Sequence, residues 1–243
     1  MFSPPMFHIQ RNRLPIPLFK ISSGIQKHTQ VYHWFLYFSI EEMSHFISAT
    51  AGILIGGQSS RFGSPKWKVK MGGITVLNRL WKACNRFENR IVIGKEQPDD
   101  LGKQFLKDEL ERQAPIIGLH TLLKNSAHEW NLLLSCDLPL ITASLLEKIW
   151  ENRDSEKDII VPESDAHLQV TCAFYHRRLA DTVEAFISNG QLSLYQFVET
   201  VECKKVSMPE KQFFNMNAPE DLDTAEKQLR NERGEKTSGE GKT

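Results

Sequence analysis

The stretch that most restricts the fold runs from Ala51 to Leu77 (AGILIGGQSSRFGSPKWKVKMGGITVL). It opens with Ile53 to Ile55, apolar, β-branched and too short for a helix, which reads as a buried strand delivering the chain into a loop. Gly56 and Gly57 begin that loop. Adjacent glycines let the backbone turn sharply and bring its N–H groups onto an anion with no Cβ in the way. Arg61 and Lys66 follow on the same loop with Gly63 between them, and two cations so placed suit a polyphosphate. Gly63 is followed by Ser64 and Pro65 before Lys66, so the spacing is not that of a Walker A loop. The adjacent glycines also break the dinucleotide fingerprint. A glycine-rich turn with two solvated cations is the plain alternative. The register of Arg61, Gly63 and Lys66 favours the phosphate loop.

Downstream, short apolar runs alternate with helical spacing. Val76, Leu77, Leu80, Trp81 and Cys84 recur as one helix face, and Arg90 to Gly94 (RIVIG) reads as a strand. Pro98 to Arg112 is polar and acidic, with a stripe of Leu101, Phe105 and Leu110 that predicts a surface helix or lid. Ala114 to Leu123 reads as a turn and helix, Trp130 to Leu134 as a buried strand, and Thr142 to Trp150 as a helix capped by Thr142 or Ser144. Strands separated by helices predict an α/β fold: a mostly parallel sheet with helices on both faces, Rossmann-like and in three αβα layers.

Two further segments carry candidate chemistry. Ser135 to Leu140 (SCDLPL) puts Asp137 just beyond an apolar strand, at the edge where open α/β sheets place ligands. A carboxylate there facing phosphates suits Mg²⁺, which takes one or two carboxylates and otherwise keeps water and phosphate oxygens. A turn-forming aspartate is the alternative. In Asn215 to Leu222 (NMNAPEDL), Phe213 and Phe214 read as a strand end, and Asn215 and Asn217 alternate with Met216 so that both amides face one side. Pro219 then marks a helix start with acidic residues in its first turn.

The chain has 243 residues, 40% hydrophobic and 25% charged, with zero formal net charge. That balance offers no basic stripe for nucleic acid and no attraction to an anionic membrane, so anion binding must be local. Cys84, Cys136, Cys172 and Cys203 are far apart and form no metal or redox pair, which suits small core residues in a reducing, cytoplasmic setting. Met1 to Ile40 holds Arg11, Arg13, Lys20 and Lys27, four prolines and no acid; its apolar run Trp34 to Ile40 is too short to span a bilayer. Residues 1–47 are therefore expected to be a basic, dispensable leader, with Met43 at a suitable distance to begin the domain. The domain is expected over 48–230. Residues 231–243 have no apolar side chain and are expected to be a disordered tail.

The order of GGQSSRFGSPK, APIIGL, LLLSCDLPL, HLQVTCAFYHR and NMNAPEDL resembles the molybdenum cofactor guanylyltransferase family of nucleotidyltransferases over about Ser48 to Leu229. Gln169 to Arg177 resembles that family's Q-P-L-x-A-L-Y strand, and Phe186 to Phe197 its helix, glycine and short helix. Pro65 stands where aspartate is frequent, Ala114 where glycine is usual, and Val170 where proline is typical. The resemblance implies a nucleotidyltransferase fold and transfer of GMP from GTP to molybdopterin with Mg²⁺. Other cofactor-biosynthesis proteins or the recipient molybdoenzyme are implied as partners. It places the nucleotide against Leu54, Ile55, Gly56 and Gly57, with Arg61, Lys66 and Asp137 as the catalytic set and Asp137 as metal ligand. Asp108 or Glu111 would read the base, and the two remain alternatives. Gln169, Asn215 and Asn217 would face the acceptor. A cytidylyl- or other nucleotidyltransferase, and a non-catalytic carrier that kept the fold, are the competing readings.

Overall fold

The structure is a computed structural model, and it describes residues 46–56 and 64–232. Gly57, Arg61 and Gly63, together with 1–45 of the expected leader and 233–243 of the tail, lie outside the described residues. The first strand, β1, covers Ile47–Leu54, so it begins on the last residue assigned from sequence to the leader.

A short hairpin, β2 (Lys70–Met71) and β3 (Ile74–Thr75), follows the loop. Its two-residue turn is Gly72 and Gly73, at φ +58° and +85°, the paired left-handed geometry that matches strand twist and that glycine adopts without strain. Helix α1 (Val76–Ala83) is capped by Thr75, whose hydroxyl accepts from the Asn78 N–H. Then come β4 (Phe87–Gly94), β5 (Phe105–Lys107), α2 (Pro115–Asn125) and β6 (Trp130–Ser135). Next are α3 (Ala143–Glu151), β7 (Ile159–Ser164), β8 (His167–Leu168) and β9 (Cys172–His176). The chain closes with α4 (Ala180–Ser188), α5 (Leu194–Thr200), β10 (Cys203–Ser207) and α6 (Glu220–Glu232).

The main sheet runs β10-β7-β9-β6-β1-β4-β5, with β8 on β7. The pairs β1/β4, β1/β6, β4/β5 and β7/β10 are parallel; β9 is antiparallel to both neighbours. Pleating sorts the side chains. Ile47, Ala49, Ala51 and Ile53 of β1 join Val76, Leu80, Leu146 and Ile149 in one core, whereas Leu133 of β6 joins Ile116, Leu119, Val183 and Phe197 in the other. Helices α1 and α3 therefore cover one face and α2, α4 and α5 the opposite one, the three-layer arrangement expected. A smaller cluster of Met71, Leu140 and Ala225 seats α6 on the hairpin, where the Gly72 N–H donates to Glu226 Oε1 at 3.0 Å.

Four local expectations need correction. Pro98 to Arg112 is not a helix: Gly102 at φ +57° breaks the stripe, and Phe105–Lys107 pairs with Val92–Gly94 as an edge strand. Phe213 closes a 3-10 turn, Glu210–Phe213, rather than a strand, because Pro209 starts a turn and Phe213 is buried in the first core. The strand read over Gln169 to Arg177 spans only Cys172–His176; the Gln169 carbonyl accepts the Cys172 N–H and turns the chain. Finally, α6 continues two residues into the expected tail. No described helix is long and apolar enough to cross a membrane.

Candidate active site

Strand β1 ends at Leu54 and the chain leaves the sheet through Gly56. A Cβ on Gly56 would stand 3.4 Å from the Gln113 side-chain amide, an ordinary van der Waals distance, so the chain passes near that side chain as it leaves the sheet. After Pro65 the chain makes a single 3-10 turn, Lys66–Lys68, which presents Lys66. Beyond β6, the Ser135 hydroxyl accepts the Asp137 N–H at 3.2 Å and the Cys136 N–H bonds to Leu54 O at 3.3 Å, which ties the aspartate turn to the end of β1.

The three segments separated in sequence meet here. Lys66 Nζ donates to Asp137 Oδ1 at 2.8 Å and to Asn217 Oδ1 at 3.2 Å, and the Met216 N–H donates to Asp137 O at 2.9 Å. Met216 is fully buried while Asn215 and Asn217 are exposed, so the alternation read from sequence holds although the strand before it does not. Asp221 fixes this end of α6: its Oδ2 accepts the Asn217 and Ala218 N–H groups at 2.7 and 2.8 Å. Those bonds, with the Lys66 ammonium, hold the Asp221 carboxyl below its ordinary range.

Beside the lysine–aspartate pair lies a cleft of about 530 Å³, a size suited to a nucleotide. It is lined by Leu54, Gly56, Ser135 and Asp137 from the ends of β1 and β6, and by Lys95, Asp108, Gln113 and Ala114 from the segments that follow β4 and β5. Gly118 shapes the wall, since a Cβ there would come within 2.4 Å of Leu54 Cδ2. Asp108 is buried, its carboxylate accepting from Lys95 Nζ at 2.9 Å and from Thr121 Oγ1 and Leu110 N at 3.3 Å. Glu111 is exposed and, with Ile55, Gln169, Asn215, Asn217 and Lys66, is not among the lining residues; Lys66 and Asn217 meet the cleft at its edge, through the bond from Lys66 to Asp137. Lys95 and Gln113 escaped the sequence reading. Lys95 follows an apolar strand directly, the same signal that pointed to Asp137, whereas nothing local distinguishes Gln113.

Asp137 is the carboxylate that lines the cleft beside Lys66, and among the described residues no three His, Cys, Asp or Glu side chains converge on an ion. Such a donor set fits a divalent cation that draws most of its ligands from phosphate and water, as Mg²⁺ does.

A mostly parallel sheet covered on both faces, with a lysine–aspartate pair where β1 and β6 end, is the architecture of the α/β nucleotidyltransferase class. Within it, residues 51–205 match the MobA-like NTP transferase domain, and the chain belongs to that family. A probable molybdenum cofactor guanylyltransferase of Nostoc sp. is 31% identical over 182 residues, 71% of this chain and 88% of the relative. The molybdenum cofactor guanylyltransferase of Desulfosudis oleivorans is 26% identical over 191 residues, covering 74% and 95%. Among solved structures, molybdopterin-guanine dinucleotide biosynthesis protein A from Archaeoglobus fulgidus superposes with a TM-score of 0.64 at 23% identity, covering 75% of this chain and 99% of that one.

Proposed function

We propose that this chain is a molybdenum cofactor guanylyltransferase: a terminal phosphate of molybdopterin attacks the α-phosphorus of GTP in line, a P–O bond forms to the acceptor, and pyrophosphate leaves. The observation that carries this reading is the convergence of Lys66, Asp137 and Asn217 beside the nucleotide-sized cleft. The relatives named above support the choice of nucleotide and acceptor.

The attacking phosphate is already ionised near neutral pH, so the site needs no general base. It must position two anions and offset their charge. Lys66 faces the α-phosphate, and the Gly56 turn holds the leaving phosphates with Gly57 and Arg61, both outside the described residues. Asp137 would hold Mg²⁺, which when bound would supply Lewis-acid neutralisation of phosphate oxygens. In this role the nucleotide lies along Leu54 and Gly56, with Asp108 rather than exposed Glu111 on the base side. Asn215, Asn217 and Gln169 belong to the acceptor side, where neutral amides bind phosphate without added repulsion. A cytoplasmic location accords with four unpaired thiols, three of them buried. Transfer partners are other cofactor-biosynthesis proteins or the receiving molybdoenzyme.

The test is pyrophosphate release with Mg²⁺ and molybdopterin, offering GTP, ATP, CTP and UTP separately. Turnover with GTP alone is expected. Turnover with CTP would assign the chain to the cytidylyl branch, and binding of GTP without turnover would assign it to a carrier.

A further inference from the structure

We propose that Lys95 is a positioning residue that sets which base the cleft accepts, an inference that rests on the nucleotide reading of that cleft. Lys95 follows β4 directly, and its ammonium carries three donors. All three have acceptors on one loop: Asp108 Oδ2 at 2.9 Å, Arg112 O at 2.8 Å, and the carbonyl of Leu110. That loop, 108–114, joins β5 to α2 and forms a wall of the cleft through Asp108, Gln113 and Ala114.

No helix or strand orders residues 108–114. Polar contacts hold them instead. The Asp108 N–H donates to Gly94 O at 2.8 Å, and its carboxylate accepts from Leu110 N and Thr121 Oγ1. The Asp108 side chain is 8% exposed and that of Lys95 31%. A carboxylate this buried is costly without its counter-charge, so the pair stands or falls together. Discrimination between base edges requires acceptors held to within about 0.5 Å. A carboxylate offers about four lone-pair positions, and three donors already engage Asp108, which leaves roughly one for a ligand. Lys95 decides where that remaining acceptor lies, and through the Arg112 carbonyl it also holds the residue next to Gln113 of the cleft wall. It does so without needing to touch the base.

The experiment uses the full chain and measures equilibrium binding of GTP, ATP, CTP and UTP to wild type and to Lys95→Met, together with KM and kcat for GTP. The wild type is expected to prefer GTP. In Lys95→Met that preference should fall by about tenfold or more, because the site's polar acceptors lose their registry, and KM should rise far more than kcat changes. Should Lys95→Met fail to fold, Lys95→Gln, which keeps a donor toward the loop while removing the charge and leaving Asp108 in place, is expected to fold with a loss of preference in the same direction. Retention of the wild-type preference in whichever variant folds overturns the inference, as does equal weakening of all four nucleotides, the signature of a structural role alone. A wild type that shows no preference overturns the base-side reading and the inference with it, and that result is visible without any variant.

Discussion

At Lys66 one ammonium bridges two elements that the chain reaches 71 and 151 residues later, Asp137 and Asn217. A cation that acts on developing phosphate charge contributes to the transition state, so Lys66→Ala is expected to lower kcat by about 10²-fold or more. The ion pair is partly solvated, and its loss should change unfolding free energy by no more than about 1 kcal/mol. Steady-state kinetics and denaturant melts on one preparation check both; unchanged turnover would sink the assignment. Asp221 gives a pH signature. Its folded carboxyl lies below its ordinary range, chiefly because it accepts from Ala218 and Asn217. Its contribution is therefore complete above the unfolded aspartate pKa of about 3.9 and is lost as pH falls through the lower folded value. Asp221→Asn should lower Tm at neutral pH, with the difference from wild type closing on acidification; a difference constant with pH would refute the cap.

Among the elements, caps and turns show where local chemistry decides conformation. The Thr142 hydroxyl accepts the Leu145 N–H at 3.3 Å and begins α3, so Thr142→Ala should cost about 1 kcal/mol in a urea titration. The β7–β8 hairpin turns through Asp165 and Ala166 at φ +47° and +60°, left-handed geometry that an alanine side chain resists. Ala166→Gly relieves that strain and returns part of it as unfolded-chain entropy, for a net gain of about 0.5–1 kcal/mol. A measured loss would mean that the turn is held by contacts of the Ala166 methyl. The glycine pair of the β2–β3 turn needs no such relief. Helix α6 is the least apolar of the helices in sequence, yet it is seated through Ala225 beside Met71 and Leu140. That contact carries the asparagines to Lys66.

Taken whole, the molecule buries three of its four thiols: Cys84, Cys136 and Cys172. Desolvation pushes the Cys84 thiol up to about 12 and raises Cys136 and Cys172 as well, so the reactive thiolate is scarce in the native state. Labelling with a thiol reagent near pH 8 should modify half-buried Cys203 first, and the other three only at the rate of opening of the sheet. Simultaneous labelling of all four would show that the two cores open far more readily than their packing implies. Much of this architecture was legible from periodicity. β-branched runs, helix spacing, caps and glycine pairs act within a few residues, and so the sequence by itself determined the alternation of β1, α1, β4, α2 and β6, and Asp137 just beyond a strand end. Pairing is a different matter. Phe105–Lys107 becomes a strand because β4 offers an open edge, and no feature of its own periodicity says so. The antiparallel placement of β9, the choice of Asp108 over Glu111 for the cleft wall, and the grip of Lys95 on its loop depend on groups brought together across the sheet. Only the tertiary structure decided those, because burial and hydrogen-bond partners are set by neighbours in space, whereas turns and caps are set by neighbours in the chain.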